Sequence, residues 1–297
     1  MKYRIDFPIT KECDLHCYYC FHSDYHKKIG PYQNKSYDLG FTLEEWERWR
    51  NKFLFKAEEI LLNLHGGETF HSKNILLVFN LINHCKNSIQ TYEFLSNGLS
   101  PLENYQQICI PFKDKIKRIG FTYHREMIDH NEHLKKLFEN TVLDVKQMGI
   151  NVYVKELLMV KHRDEIIKNK NHWNGLGIDF KVQDFKGVDK GFSFEEYSKY
   201  TLLDYILIDD EYKHPKNQYC TCLSGYKSFG IRGFDEFSGD VIACWQNPVV
   251  VGNIKEMWFN PNFRVDREEN SSKRKIIGVP LKYRGTNDKD LPLPCNT

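Results

Sequence analysis

Residues 3–20 read YRIDFPITKECDLHCYYC, an alternating stretch that runs directly into a loop with three cysteines. The alternation and aromatic content of Tyr3–Ile9 predict a β-strand. Cys13, Cys17 and Cys20 follow it with the spacing C-x3-C-x2-C. Thiols this close can converge on one metal centre, but a structural zinc site requires four protein ligands. Three thiolates are better suited to an iron–sulfur cluster that leaves one iron open.

Outward from this stretch, strand-like and helix-like segments alternate to about residue 185. Further strands are predicted at Glu59–Leu64, Gln90–Leu95, Arg118–Tyr123, Val152–Val160 and Phe180–Phe185. Helices are predicted from the capping box Thr42–Glu45, and over Asn74–Lys86, Asn131–Met148 and His162–Trp173. Strands that alternate with helices form βαβ units and a parallel sheet. We therefore expect an α/β fold, a partial (β/α)6 barrel resembling a TIM barrel.

Polar and glycine-rich turns follow the predicted strands at their carboxyl ends. The cysteine loop follows the first strand, Gly66 and Gly67 follow the second, and Asn97-Gly98 follows the third. Ligands of parallel α/β sheets bind at this edge. The sequence therefore predicts a single site there.

The pattern changes after about residue 192. A helix and a polar connector are predicted over 193–219, and the segment KSFGIRGFDEFSGDVIACW at 227–245 predicts a β-hairpin. We expect a barrel domain over 1–192, the connector, and a small hairpin-based domain over 220–297.

Composition narrows the classes of function. The 297 residues carry 42 Lys or Arg and 40 Asp or Glu, so the net charge of +2 gives no reason to expect nucleic acid or an anionic membrane as a partner. No apolar run approaches the roughly 18 residues of a membrane helix. The first ten residues contain no apolar signal segment. We expect a cytoplasmic protein, in which clustered cysteines bind metal or do chemistry rather than form disulfides.

Two motifs resemble those of radical S-adenosylmethionine (SAM) enzymes. The loop CDLHCYYC at 13–20 resembles the family's cluster loop, with Tyr19 as the aromatic residue before the last cysteine. The triplet GGE at 66–68 resembles the family's GGE motif, although Thr69 stands where the family more often has proline. The resemblance covers about residues 3–185 as fold. It implies a [4Fe–4S] cluster on the three cysteines, with SAM bound to the open iron.

The resemblance also implies how SAM is held. The glycines let the backbone approach the ligand, and the carboxylate of Glu68 is expected to pair with the SAM ammonium. Further expected polar contacts to SAM are Ser96, Asn97, Thr122, His124 and Lys155. For each of these five, an ordinary place on the barrel rim is the alternative.

A second set of cysteines lies in the C-terminal region. Cys222 and Cys244 bracket the hairpin as C-x16-G-x4-C, and Val251–Ile254 resembles the segment that follows in the accessory domain called twitch, a shortened SPASM domain. This implies an auxiliary [4Fe–4S] cluster, with Cys220 and Cys295 as its other ligand candidates. Four thiolates could equally hold zinc. A free thiol at Cys220 or Cys222, as the hydrogen-atom donor of an epimerase, is a further alternative.

For activity, the resemblance implies reductive cleavage of SAM to a 5′-deoxyadenosyl radical that removes a hydrogen atom from the substrate. We expect a ribosomally made peptide as substrate, which is epimerised, crosslinked or oxidised. Only twelve residues precede Cys13, so no leader-binding domain is expected before it. The alternative is a dehydrogenase or epimerase of a small sugar or aminoglycoside-type metabolite. Either activity needs an electron donor such as flavodoxin or ferredoxin.

Overall fold

The structure is a computed structural model of the chain. It describes residues 2–10, 12–15, 17, 39–86, 88–157, 162–183, 228–231, 239–244, 247–260, 264–267 and 274–277. The predicted connector over 193–219 lies outside these residues, and so do five predicted site residues: Tyr19, Cys20, Cys220, Cys222 and Cys295.

Six parallel strands form the first part of the sheet, as the sequence predicts. They are β1 (Lys2–Thr10), β2 (Glu59–Gly66), β3 (Gln90–Ser96), β4 (Ile116–Tyr123), β5 (Val152–Leu157) and β6 (Asp179–Gln183). Each pairs in parallel with the next along the chain. The α/β fold with consecutive βαβ units is therefore confirmed. Because β6 pairs only with β5 among the described residues, the barrel is open on this side.

Helices connect these strands. They are α1 (Leu43–Phe53), α2 (Ile75–His84), α3 (Leu102–Cys109), α4 (Arg125–Ile128), α5 (Glu132–Gln147) and α6 (Arg163–Gly175). In the described residues, no helix has the length and apolar character needed to cross a bilayer.

The predicted capping box starts α1. The hydroxyl of Thr42 accepts from the backbone N–H of Glu45 at 3.1 Å, and the Glu45 carboxylate accepts from the backbone N–H of Thr42 at 2.7 Å. Trp46 and Trp49 then follow at helical spacing, stack with ring centroids 5.8 Å apart and are fully buried. Burial of two indoles anchors α1 to the core.

The two faces of β1 differ in character, because alternate residues of a strand point to opposite faces. Ile5 and Phe7 are fully buried in the apolar core, whereas Arg4 belongs to a polar network on the other face. The centre of that network is Glu93, which is 1% exposed.

The carboxylate of Glu93 is fully paired. It accepts hydrogen bonds from Arg4 at 3.0 Å, from Arg118 at 3.1 Å and from the hydroxyl of Tyr153 at 3.1 Å. These two arginines hold the pKa of Glu93 below its usual value although burial opposes the shift. We call Glu93, Arg4, Arg118 and Tyr153 together the Glu93 floor.

The predicted hairpin region continues the same sheet. Strand β7 (Ser228–Ile231) pairs in parallel with β1, and β8 (Asp240–Cys244), β9 (Asn247–Asn253) and β10 (Trp258–Phe259) follow as antiparallel strands. The described sheet therefore has ten strands in the order β10-β9-β8-β7-β1-β2-β3-β4-β5-β6. A separate two-stranded sheet contains β11 (Arg264–Arg267) and β12 (Arg274–Ile277). The predicted domain boundaries stay predictions.

Candidate functional site

The carboxyl ends of β1 and β2 are joined by backbone hydrogen bonds. Gly67 donates to the carbonyl of Thr10 at 2.8 Å, and Glu68 donates to the carbonyl of Glu12 at 2.5 Å. Gly66 has φ of +138°, and a Cβ at this position would collide with the carbonyl oxygen of Thr10. Only glycine permits this approach. The first glycine of the triplet thus holds the turn against the cysteine loop.

Glu68 is fully buried, and protein donors occupy both of its carboxylate oxygens. One oxygen accepts from the backbone N–H of Phe70 at 2.9 Å and from the hydroxyl of Ser96 at 2.8 Å, and the other accepts from the backbone N–H of Asn97 at 2.6 Å. Burial raises the pKa of Glu68 to about 7, although these hydrogen bonds favour the ionised form. The side chain therefore ties the turn after β2 to the end of β3. Its pairing with a ligand ammonium stays a prediction.

A tyrosine that sequence reasoning missed completes this arrangement. The hydroxyls of Tyr105 and Ser96 are 2.7 Å apart, and the ring of Tyr105 stacks on Phe70 with centroids 4.3 Å apart. Tyr105 lies on α3 and is fully buried. In the sequence it is indistinguishable from an ordinary core aromatic, because its hydroxyl partner lies on another element.

Cys13 lies beside the end of β3. The side-chain amide nitrogen of Asn97 is 3.8 Å from its sulfur, and the backbone N–H of Leu15 donates to the same sulfur at 3.5 Å. The oxygen of the Asn97 amide accepts from the backbone N–H of Leu99 at 3.0 Å. The amide nitrogen is therefore the atom that faces Cys13.

Cys17 lies beside the end of β4. It is 6% exposed, and its sulfur is 3.6 Å from Nδ1 of His124. Burial and the neighbouring Lys155 cation lower the pKa of His124 to about 4. The imidazole is therefore neutral at pH 7. Thr122 and Lys155 are register partners on β4 and β5, which places them on the same side of the sheet.

The structure thus brings most of the described site residues to one edge. Hydrogen bonds link one group there, which contains Cys13, Gly66, Gly67, Glu68, Ser96 and Asn97. Cys17 and His124 form a second pair at the end of β4. Cys244 ends β8, two strands from β1 on the side away from β2. Its predicted partners Cys220, Cys222 and Cys295 lie outside the described residues.

The residues present fit a cluster bound by thiolates. Two thiols follow β1, and nitrogen atoms of Asn97, Leu15 and His124 lie within 3.8 Å of their sulfurs. Among the described residues, no three His, Cys, Asp or Glu side chains converge as a metal site on their own. The third predicted thiol, Cys20, lies outside those residues.

Comparison with known proteins finds likeness in structure only. No protein-family model matches the chain, and no curated protein sequence does. Native anSMEcpe with bound AdoMet and Cp18Cys peptide matches with a TM-score of 0.56 and 14% identity over 85% of this chain and 78% of that one. Native anSMEcpe with bound AdoMet matches with a TM-score of 0.56 and 17% identity over 87% and 81%.

A second protein has the same fold. Streptococcus suis SuiB bound to S-adenosylmethionine matches with a TM-score of 0.52 and 14% identity over 82% of this chain, which spans 58% of the SuiB chain. At such identities, structural likeness establishes the fold and not the activity. The chain therefore has the fold of anSMEcpe and SuiB, an α/β fold with an open, partial barrel.

Proposed function

We propose that the chain is a radical SAM enzyme that modifies a ribosomally made peptide. The convergence of the cysteine loop, the GGE turn and the end of β3 at one edge of the sheet carries this proposal. The fold shared with anSMEcpe and SuiB supports it, because their structures contain AdoMet and one of them also contains a peptide.

In this proposal, Cys13, Cys17 and Cys20 hold a [4Fe–4S] cluster. When bound, the cluster and SAM supply a 5′-deoxyadenosyl radical that abstracts a hydrogen atom from the substrate. The residues of the chain itself hold the turns around this site in place. Gly66 keeps the GGE turn close to the cysteine loop, and Glu68 fixes that turn to β3.

The remaining predicted contacts have roles of the same kind. Thr122, His124 and Lys155 are proposed to contact SAM from β4 and β5. The Glu93 floor is proposed to limit the access of water to this part of the sheet, because its carboxylate is 1% exposed and is paired with two arginines. Exclusion of water and stray hydrogen donors protects reactive intermediates.

We further propose a twitch-like or SPASM-like region with an auxiliary [4Fe–4S] cluster. Its proposed ligands are Cys220, Cys222, Cys244 and Cys295. The alternatives are zinc in place of the cluster, and a donor thiol at Cys220 or Cys222. The enzyme is proposed to act in the cytoplasm and to receive its electron from a flavodoxin or ferredoxin.

Anaerobic reconstitution with iron and sulfide tests the proposal. We expect the reduced protein to release 5′-deoxyadenosine from SAM, and we expect the triple replacement of Cys13, Cys17 and Cys20 by Ala to abolish that release. Chromatography of the products measures the cleavage. The double replacement Cys85→Ala and Cys109→Ala is the control, because it removes two buried thiols that belong to neither cysteine motif.

Normal SAM cleavage by the triple variant would show the assignment to be wrong. Mass spectrometry of peptides encoded beside the gene, after incubation with reduced enzyme and SAM, tests the peptide substrate. A mass change in a sugar or aminoglycoside and in none of the peptides would favour the small-molecule alternative.

A further inference from the structure

Neighbouring hydrogen-bond partners fix the orientation of the Asn97 side-chain amide. Asn97 is 4% exposed, and its amide oxygen accepts from the backbone N–H of Leu99 at 3.0 Å. The amide nitrogen consequently lies on the opposite side, 3.8 Å from the sulfur of Cys13. This separation is within the range of an N–H···S hydrogen bond, since sulfur is larger than oxygen.

The backbone around Asn97 is held as firmly as its side chain. Its N–H donates to the buried carboxylate of Glu68 at 2.6 Å, and the same carboxylate accepts from the hydroxyl of Ser96. Gly98 has φ of +74°, and a Cβ there would lie 2.6 Å from the ring of Phe138. Three neighbouring constraints therefore fix the direction of the amide toward the cysteine loop.

We propose that Asn97 acts through Cys13 as a positioning residue that raises the reduction potential of the cluster. Its amide N–H donates to the cysteine sulfur. This inference rests on the proposed function, because it requires a [4Fe–4S] cluster on the N-terminal cysteines. It gives Asn97 a role toward the cluster in addition to the predicted contact with SAM.

The sign of the effect follows from charge. Reduction adds one electron, and part of its charge spreads onto the cysteine sulfurs. An N–H directed at a sulfur stabilises the more negative, reduced state more than the oxidised state, which is why hydrogen bonds to the sulfurs help to set cluster potentials. Asn97 is nearly buried, so water screens the interaction little.

The decisive variant is Asn97→Asp. It retains the oxygen that accepts from Leu99 but replaces the donor near Cys13 by a carboxylate oxygen. At a given solution potential we expect a ratio of reduced to oxidised cluster about tenfold lower, which corresponds to about 59 mV for one electron. Asn97→Ala removes the donor without adding charge, so we expect a smaller fall.

Redox titration followed by electron paramagnetic resonance, on the reconstituted full chain without SAM, measures the potential. The signal of the N-terminal cluster is identified in the unmodified protein by its change when SAM is added. Asn169→Ala is the control, because Asn169 lies on α6 and its amide donates to Glu156 of β5 at 3.0 Å and not to a cysteine sulfur. We expect the control to keep the original potential.

The outcomes separate the two proposals. A cluster with normal iron content and unchanged potential in Asn97→Asp overturns the role of Asn97 and leaves the proposed function intact. Absence of a cluster in the unmodified protein overturns both. If Asn97→Asp fails to assemble a cluster, Asn97→Ala decides, and an unchanged potential there likewise overturns the inference.

Discussion

Glu68 shows how a single residue can join the carboxyl ends of two neighbouring strands. Burial raises its pKa from the usual 4.5 to about 7, so the folded protein holds this proton more tightly than the unfolded chain. Stability from this group is therefore fully present below about pH 4.5 and is lost as the pH rises through 7. A shift of this size corresponds to about 3 kcal/mol.

The variant Glu68→Gln removes this titration and places an amide nitrogen against one of the former donors. We expect the metal-free variant to be about 1–3 kcal/mol less stable than the original at pH 5. The difference in free energy of unfolding between the two proteins should become smaller towards pH 8, where the original protein carries a buried charge. Urea unfolding at several pH values measures it, with the exposed Glu44→Gln as control. A gap that stays constant across this range would contradict a buried acid.

At the scale of the element, the junction of β1 and β2 depends on one glycine. A Cβ at Gly66 would collide with the carbonyl of Thr10, and φ of +138° is unfavourable for any other residue. We expect Gly66→Ala to lower the free energy of unfolding by at least about 2 kcal/mol, since backbone strain adds to the collision. Urea unfolding of the metal-free chain measures the change.

Gly175 provides the matched control for that substitution. It ends α6, and nothing lies within 4 Å of a Cβ placed there. We expect Gly175→Ala to leave stability unchanged or to raise it by up to about 1 kcal/mol, because alanine favours the helix. Equal losses at the two glycines would show that the junction is not specially constrained.

At the scale of the whole molecule, the N-terminal helix and the C-terminal strands share one core. The indole N–H of Trp49 donates to the carbonyl of Trp258 at 3.0 Å, and the Trp49 and Phe259 rings are 5.0 Å apart. Phe229, from β7, contacts both rings at centroid distances of 6.1 and 5.2 Å. Because β7 also pairs with β1, the two ends of the chain should unfold together.

Phe229→Ala tests this coupling. Phe229 is 2% exposed, so we expect a loss of about 3–5 kcal/mol, typical of truncating a buried phenylalanine. Hydrogen exchange should show the same loss of protection in β1 and in β8. Faster exchange in β8 with unchanged exchange in β1 would mean that the C-terminal strands unfold as a separate unit. The exposed Phe55→Ala should change neither strand.

The sequence predicts the local parts of this fold well and the distant pairings poorly. Strands and helices are recognisable from hydrophobic periodicity, and helix starts from local motifs such as the Thr42 capping box. Helix α3 has eight residues, too few for periodicity to decide. The pairing of β7 with β1 and the contact of Tyr105 with Ser96 join segments that no local pattern relates.

The same distinction between local and distant features applies to the candidate site. Cys13, Cys17 and the GGE turn are recognisable because their spacing is local, and their convergence follows from the parallel sheet. The hydrogen bonds that occupy Glu68 are not recognisable, because their donors come from two different turns. A carboxylate that reads in the sequence as a ligand contact is in the structure also a link between strands.

The Glu93 floor restricts the sequence changes that this protein can accept during evolution. Replacing either Arg4 or Arg118 alone removes one of the two cations that pair with this buried carboxylate, which destabilises its charge. Replacing the carboxylate alone leaves two neighbouring guanidinium groups without it. Homologues should therefore exchange these positions jointly, as a covarying group, whereas residues outside the network can change one at a time.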